Sequence, residues 1–339
     1  GYYYITRFEK GKDYPIYARK KENLEASEEI LFDCNEMAKE HTYFQMVGLS
    51  VSDDNQWISF GIDTVSRRQY TIQIKNLVSG EILPTKLENT TGGATWAADN
   101  KTLFYIRKDE TTLRSDTIYK HKLGTNPSDD VIVYHEKDET FDVSVFKSKS
   151  KKYIFITSDS TMTTEYRMLF SAKPDGRMKV FQKRTRGLEY SVSHFEDHFY
   201  IITNKDKATN FKLMKTPLDK TSKDNWVDEI PHREEVLLED IDIFRDYLVV
   251  SERSNGLNTI RIINWQTKKE YYLPFDSQTY SVYTSTNLDF DTKILRYSFQ
   301  SLATPSSVID FNMKTKEKNI LKEQVVLGGK FDKNNYIEE

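Results

Sequence analysis

Short alternating runs of aromatic and β-branched residues recur along the whole chain, and they constrain its fold more than any other feature. They include "YYYITRF", "WISFGI", "YTIQIKNL", "LFYIRK", "YIFITS", "HFYIIT", "YLVVSE" and "ILRYSF". Each run is about five to eight residues long and is closed by Asp, Asn, Gly, Lys or Ser, which is the pattern of strands separated by turns. Segments with helical periodicity are nearly absent, and the best of them, 27–41, predicts an outer strand followed by one short helical turn. The sequence therefore predicts an all-β chain.

The spacing of these runs predicts how the strands are grouped. The runs fall into seven blocks of roughly 45 to 50 residues, which is the size of a four-stranded propeller blade. We therefore expect a seven-bladed β-propeller of four-stranded antiparallel blades, in a single domain that spans residues 1–339. The predicted blades are 1–43, 44–91, 92–139, 140–187, 188–236, 237–279 and 280–326, and 327–339 is predicted to be a linker.

The charge balance narrows the set of partners. The chain has 52 acidic and 49 basic residues and a net charge of -3, which gives no electrostatic reason to expect binding to nucleic acid or to an anionic membrane. No apolar run approaches the roughly 18 to 20 residues that span a bilayer. The charged, alternating N-terminus is not typical of a signal or transit peptide. It begins inside a predicted strand, so we expect the chain to be cut from something longer.

Cys34 is the only cysteine, so an internal disulfide or a cysteine-rich metal site is excluded. Two interpretations of this thiol remain open, a buried structural residue and a reactive one. A reducing compartment fits a single cysteine, and we expect a cytoplasmic protein, with the periplasm as the alternative.

The Gly92-Gly93 pair in "ENTTGGATWAADN" has the composition of a phosphate-binding loop, but its context does not fit one. No helical pattern follows the pair, and no Lys-Ser or Lys-Thr is attached to it. We interpret the pair as a structural bend, at the start of an innermost strand where backbones converge.

Other candidates for chemistry also lack the necessary context. His194 and His198 are four apart in "HFEDH", but they flank a predicted hairpin turn, whereas the zinc-protease motif requires a helix. The remaining histidines have no ligand-type spacing, and no G-x-S-x-G nucleophile motif is present. Acid pairs such as Glu234-Glu235 are interpreted as solvated turn residues. We therefore predict no catalytic, cofactor-binding or metal-binding residues.

Several segments of the chain, in order, carry a family resemblance. The stretches "GYYYITRFEKGKDYPIYARKK", "SRRQYTIQIKNLVSGE", "WAADNKTLFYIRKDE", "LEYSVSHFEDHFYIITN" and "LRYSFQSLATPSSVIDFNMKTKEKNILKEQ" resemble the β-propeller of oligopeptidase B, also called protease II. That enzyme is a serine peptidase of the prolyl oligopeptidase family, whose propeller has seven blades. The resemblance covers essentially the whole chain.

The resemblance implies a function that this chain performs with a partner domain. In the family, an α/β-hydrolase peptidase domain of the same parent chain carries a Ser, Asp, His triad after the propeller. The propeller admits small peptides to that active site and excludes folded proteins. The resemblance therefore implies a fragment that is inactive alone, from a parent enzyme that cleaves after Lys or Arg, with no cofactor. The alternatives are a proline-specific sister peptidase and a free-standing propeller that acts as a binding scaffold.

Arg67 and Arg68, in the family-like "SRRQY", are the residues singled out for a role. Two adjacent cations at a predicted turn favour a charged interface with the peptidase domain, which would form part of the gate. The alternative is a solvated turn.

Overall fold

A computed structural model describes residues 1–329 and 331–336, and it confirms that the chain is all-β. Residues 330 and 337–339 of the predicted linker lie outside the described residues. In the described part, one α-helix, α1 (Cys34–Met37), follows a strand that ends at Asp33. The Asp33 carboxylate caps α1 by accepting hydrogen bonds from the backbone N–H groups of Asn35 and Glu36. The predicted strand and helical turn over 27–41 are therefore confirmed.

Within each sheet, strands that follow each other in sequence lie side by side, and the described pairs run antiparallel. The first sheet contains β1 (Tyr2–Arg7), β2 (Ile16–Lys21) and β3 (Glu28–Asp33). The second contains β4 (Gln45–Val51), β5 (Trp57–Asp63), β6 (Tyr70–Asn76), β7 (Leu87–Trp96), β8 (Thr102–Lys108), β9 (Ser115–Lys122) and β10 (Val131–His135). The third contains β11 (Asp142–Lys147), β12 (Tyr153–Ser160), β13 (Thr163–Phe170) and β14 (Lys179–Val180).

Three further four-stranded sheets follow. The fourth sheet contains β15 (Tyr190–Phe195), β16 (His198–Thr203), β17 (Lys212–Pro217) and β18 (Val227–Ile230). The fifth contains β19 (Leu237–Ile243), β20 (Tyr247–Ser254), β21 (Leu257–Asn264) and β22 (Glu270–Tyr272). The sixth contains β23 (Tyr280–Thr284), β24 (Ile294–Ser301), β25 (Ser307–Asn312) and β26 (Lys318–Glu323). Four 3₁₀ turns also occur among the described residues, at Pro127–Asp129, Lys205–Lys207, Lys223–Asn225 and Lys333–Asn335.

The prediction of seven four-stranded blades is wrong. The described strands form a five-blade arrangement of three- and four-stranded sheets, together with one seven-stranded sheet. The predicted boundary between residues 91 and 92 falls inside β7, which pairs with β6 through Tyr70↔Thr90 and with β8 through Ala94↔Tyr105. One continuous strand therefore joins the two groups that the sequence pattern separates. The first sheet has three strands, and α1 follows the third.

Glycines explain how β7 continues through the predicted boundary. Gly92 has a φ of +90°, so the strand changes direction there without ending. A Cβ on Gly48 would lie 2.3 Å from the Gly92 oxygen, and a Cβ on Gly61 would lie 2.4 Å from the Gly92 Cα. The backbones of β4 and β5 therefore approach β7 more closely than any side chain would permit. The predicted convergence of backbones at Gly92 is confirmed, although the residue lies within a strand and not at its start.

The chain divides into two compact units, each with its own buried apolar side chains. One unit comprises residues 1–161 and 166–180, and the other comprises 162–165 and 181–339. In the first unit, the rings of Phe32 and Phe60 pack 4.4 Å apart in a cluster that includes Cys34. In the second, Tyr297 and Phe311 are buried in a cluster from the fifth and sixth sheets. Burial of each such side chain stabilises the fold by about 1.5–3 kcal/mol. The assignment of residues 1–339 to one domain stays a prediction.

Candidate functional site

The loop between β5 and β6 is built around one buried carboxylate. Asp63 is 1% exposed. Its Oδ1 accepts hydrogen bonds from the backbone N–H groups of Val65 and Ser66 at 2.8 and 3.0 Å, and its Oδ2 accepts those of Arg67 and Arg68 at 3.0 and 2.8 Å. Ser66 and Arg68 have φ values of 64° and 54°, which are unfavourable for non-glycine residues. The four bonds offset this strain and fix the backbone of the loop.

The side chains of Arg67 and Arg68 project from this fixed backbone. Both are exposed, and neither forms an ion pair with a described residue. The carbonyl oxygen of Arg68 accepts a hydrogen bond from Lys108 Nζ at 2.6 Å, which ties the loop to the end of β8. The loop therefore presents two adjacent cations that have no partner among the described residues.

A polar cleft of about 450 Å³ lies next to this loop, at the same end of the seven-stranded sheet. Its volume is within the range of small-molecule binding sites. Its walls come from β7 to β10 and from the turn that joins β8 to β9. It is lined by Glu88, Asn89, Arg107, Lys108, Asp109, Glu110, Asp116, Thr117, Tyr119 and His135.

Arg107 is held against aromatic rings on one wall of the cleft. Its Cζ lies 4.4 Å from the centre of the Tyr119 ring and 5.7 Å from that of Tyr105, and the two rings stack 5.7 Å apart. Such cation–π contacts fix the plane of a guanidinium without neutralising its charge. The Arg107 Nε is buried and has no hydrogen-bond partner among the described residues. The Tyr105 hydroxyl donates to Asp130 at 2.7 Å, and burial together with this bond raises the pKa of Tyr105, so the phenol stays neutral.

Two of the carboxylates that line the cleft are engaged locally. Asp109 Oδ1 accepts hydrogen bonds from the N–H groups of Thr111 and Thr112 at 3.0 and 2.6 Å, and from the Thr112 hydroxyl at 2.8 Å. The bonds from Thr112, followed by the one from Thr111, lower the pKa of Asp109. Asp116 is buried, and its Oδ1 accepts a hydrogen bond from the Thr117 hydroxyl at 2.8 Å. These acids hold the turn and the wall in place.

His135 and two exposed acids form the rest of the cleft. Because Thr117 donates to Asp116, its hydroxyl oxygen is left to accept from His135 Nδ1, 2.8 Å away. Glu110 accepts a long hydrogen bond of 3.4 Å from Asn89, and Glu88 is exposed at the rim. The cleft therefore offers both a fixed cation and several acceptors to a ligand.

Comparisons with known proteins agree across the whole chain. The family described as "Prolyl oligopeptidase, N-terminal beta-propeller domain" matches residues 1–324. The chain belongs to the prolyl oligopeptidase family. Dipeptidyl aminopeptidase BI of Pseudoxanthomonas mexicana is 37% identical over 100% of this chain and 48% of that protein. Protease 2 of Moraxella lacunata is 32% identical over 100% of this chain and 49% of that protein.

A solved structure gives the same family relationship. Oligopeptidase B from Leishmania major matches with a TM-score of 0.91 and 28% identity, over 98% of this chain and 48% of that chain. The predicted resemblance to the propeller of oligopeptidase B is confirmed. This prolyl oligopeptidase propeller spans about half the length of the curated relatives it matches.

The two histidines of "HFEDH" contact different neighbours in this propeller. His194 and His198 lie on the two strands of the predicted hairpin, where Phe195 pairs with His198. His198 Nδ1 lies 2.7 Å from the Asp197 carboxylate, and the buried His194 ring packs edge-on against Phe199. The described residues contain no group of three or more His, Cys, Asp or Glu that could hold a metal ion. In the same part of the chain, no helix is long and apolar enough to cross a bilayer.

The sequence identified part of this region and missed the rest. The structure places Arg67 and Arg68 on the loop that Asp63 organises, and their role stays a prediction. Asp63 was missed, although an Asp directly after a strand and before a polar loop is a signal for such bonds. Arg107 was missed because its neighbours in the cleft come from four strands. The local sequence "LFYIRK" does not show how those strands pair.

Proposed function

We propose that this propeller is the non-catalytic part of a serine peptidase, and that it controls which peptides reach the active site. The active site would lie in an α/β-hydrolase domain of the same parent chain. The observation that carries the proposal is the family match over residues 1–324, combined with coverage of about half of each curated relative. The other half of such a relative has room for a peptidase domain of ordinary size.

The physical basis of the gate is a stiff scaffold next to a reactive site. Antiparallel sheets with buried aromatic cores, such as the Phe32–Phe60 and Tyr297–Phe311 clusters, deform little compared with a hinge between domains. Access would then depend on hinge opening and on the width of the path, so extended peptides pass and folded proteins do not.

An active-site probe tests the proposed division of labour. A fluorophosphonate reagent should label the full-length protein, because it reacts with activated serines. The chain of residues 1–339 should remain unlabelled and should not cleave peptides. Labelling of this chain alone, or failure to label an intact full-length protein, would overturn the proposal.

The specificity of the parent enzyme is proposed from the same relatives. Cleavage after Lys or Arg is what the resemblance to oligopeptidase B implies, and the structural match to oligopeptidase B and the match to Protease 2 support that resemblance. The 37% identity to Dipeptidyl aminopeptidase BI supports a second candidate, removal of dipeptides from a free N-terminus. N-terminally blocked reporter peptides that end in Arg, unblocked dipeptide reporters and blocked proline reporters would separate these activities. Efficient hydrolysis of only the proline reporters would contradict both candidates.

Arg67 and Arg68 are proposed to face the peptidase domain. Support comes from their exposure, their lack of an ion pair among the described residues, and the fixed backbone that Asp63 provides. The double variant Arg67→Ala/Arg68→Ala of the full-length protein should alter domain closure and the salt dependence of kcat/KM. Arg177→Ala, at another exposed position, is the matched control. Unchanged kinetics and closure in the double variant would show that these are solvated turn residues.

A further inference from the structure

Several partly or fully buried arginines of this chain have carboxylate partners among the described residues, and Arg107 does not. Arg19 pairs with Glu29 at 2.7 Å, and Arg296 binds Asp310 through two hydrogen bonds of 2.7 and 2.8 Å. Arg107 forms no ion pair with a described residue, and its Nε is buried without a partner, although four carboxylates line the same cleft. The buried Nε is closed to a ligand, so an anion in the cleft would be bound by the terminal NH₂ groups of Arg107, which share the same charge.

The rings beside Arg107 define the geometry of that partner. Because Tyr119 lies 4.4 Å from the guanidinium carbon, the face toward that ring is occupied. The remaining N–H groups lie along the edges of the planar guanidinium, and an edge of this kind matches the two oxygens of a carboxylate.

The charge of the cleft selects among anions. Glu88, Asp109, Glu110 and Asp116 would repel a phosphate, which carries nearly two negative charges, more strongly than they would repel a singly charged carboxylate. A carboxylate carries one charge, and the rest of a peptide supplies N–H groups that the exposed oxygens of Glu88 and Glu110 can accept. The volume of about 450 Å³ also exceeds what a lone small anion would fill.

We propose that this cleft binds the C-terminal carboxylate of a peptide, with the guanidinium of Arg107 as its direct partner. The inference rests on the proposed peptidase function, since it names the part of the substrate that the propeller holds. Peptides with a free C-terminus would thereby be held at the seven-stranded sheet while another part of the peptide reaches the active site.

The experiment compares two peptides that differ only in the C-terminal group. An N-terminally fluorescent peptide of D-residues, which peptidases do not cleave, is prepared as the free acid and as the amide. Binding to the full-length protein is measured by fluorescence anisotropy. The acid should bind about tenfold more tightly than the amide, as expected for a charge-assisted hydrogen bond. Arg107→Gln should remove this difference, Arg107→Lys should retain part of it, and Arg177→Gln should leave it unchanged.

The outcomes separate this inference from the proposed function. Equal affinity of acid and amide for the wild-type protein would overturn the inference, whatever the result of the fluorophosphonate test. An equal loss of affinity for the acid and for the amide in Arg107→Gln would also overturn the inference, because that result indicates a structural role for Arg107. If Arg107→Gln does not fold, a retained preference for the acid in Arg107→Lys supports the inference and its loss overturns it. Displacement of the acid by inorganic phosphate at lower concentrations than by acetate would overturn the assignment to a carboxylate.

Discussion

At the scale of single residues, Asp63 fixes the backbone of the loop that carries Arg67 and Arg68. Its buried carboxylate accepts hydrogen bonds from four backbone N–H groups, and the removal of the carboxylate would break all four bonds and release two residues held at positive φ. We expect Asp63→Ala to lower the free energy of unfolding by about 2–4 kcal/mol. Hydrogen exchange of the amides at 65–68 in the full-length protein should accelerate strongly.

A second aspartate provides the matched control for this prediction. Asp109 accepts hydrogen bonds from only two backbone N–H groups, and it is partly exposed where Asp63 is buried, so water can more readily replace its carboxylate. We expect Asp109→Ala to cost less than about 1 kcal/mol. Similar exchange at 65–68 in Asp63→Ala and in the wild type would show that the loop is fixed by other contacts.

Cys34 allows a prediction that depends on pH. Burial raises the pKa of its thiol from an ordinary value of 9.0 to about 11, and the nearby Asp33 adds to this effect. The neutral thiol therefore dominates at pH 8, and disulfide-exchange reagents should label Cys34 far more slowly than an exposed cysteine. The Cys34→Ser variant of the same protein identifies the signal that belongs to this residue. Complete labelling of the native wild type within minutes at pH 8 would favour the reactive interpretation.

The sign of the linked stability effect follows from the direction of that shift. The folded state holds the thiol proton more tightly than the unfolded state does. Its contribution to stability is therefore complete below about pH 9 and is lost as the pH rises through about 11. Cys34→Ser should remove this part of the alkaline destabilisation, which is measurable as the difference in urea midpoint between pH 8 and pH 10.5.

At the scale of secondary-structure elements, the close approach of β4, β5 and β7 depends on glycines. A Cβ at position 61 would lie 2.4 Å from the Gly92 Cα, which is backbone and cannot rotate away. We expect Gly61→Ala to destabilise the protein by about 3 kcal/mol, because the strands must separate. Urea unfolding followed by tryptophan fluorescence would measure the change.

Gly93 is the matched control for the glycine contact. It neighbours Gly92 in the same strand, yet a Cβ there would meet only the Gly48 Cα at 4.0 Å, an ordinary contact. Gly93→Ala should therefore stay within about 1 kcal/mol of the wild type. Equal stability of the two variants would mean that β4, β5 and β7 adjust to a side chain and that the glycines are not required.

The same strands show what the sequence could predict. The runs "WISFGI" and "LFYIRK" lie in β5 and β8 because alternation and turn residues are local signals. The joining of two groups into a seven-stranded sheet was not predictable, because it depends on β7 pairing on both sides of Gly92. Turn residues in "ENTTGG" indicated a break, whereas tertiary contacts kept the strand continuous.

At the scale of the whole molecule, the family was accessible from sequence and the binding chemistry was not. Resemblance over many ordered segments identified the prolyl oligopeptidase propeller, and the match over residues 1–324 confirms it. Prediction of the cleft around Arg107 would have required the register of four strands, which places Tyr119 and His135 in its lining. The two cations in "SRRQY" and the preceding Asp63 were visible in the sequence, but the burial of Asp63 and its four bonds to the loop required the fold.

The proposed gating role predicts that the full-length protein selects its substrates by size. We expect the full-length protein to cleave short unstructured peptides efficiently, with kcat/KM falling as peptide length increases. A folded protein that contains the same cleavage sequence should resist, because the proposed gate would admit only an extended chain and the folded substrate would first have to open. This selectivity is measured by mass spectrometry of the products from peptide substrates of increasing length. The same measurement compares one protein substrate in its folded form and in a permanently unfolded form. Cleavage of the folded protein at the rate of the short peptides would contradict a gating role and leave the propeller as a binding scaffold.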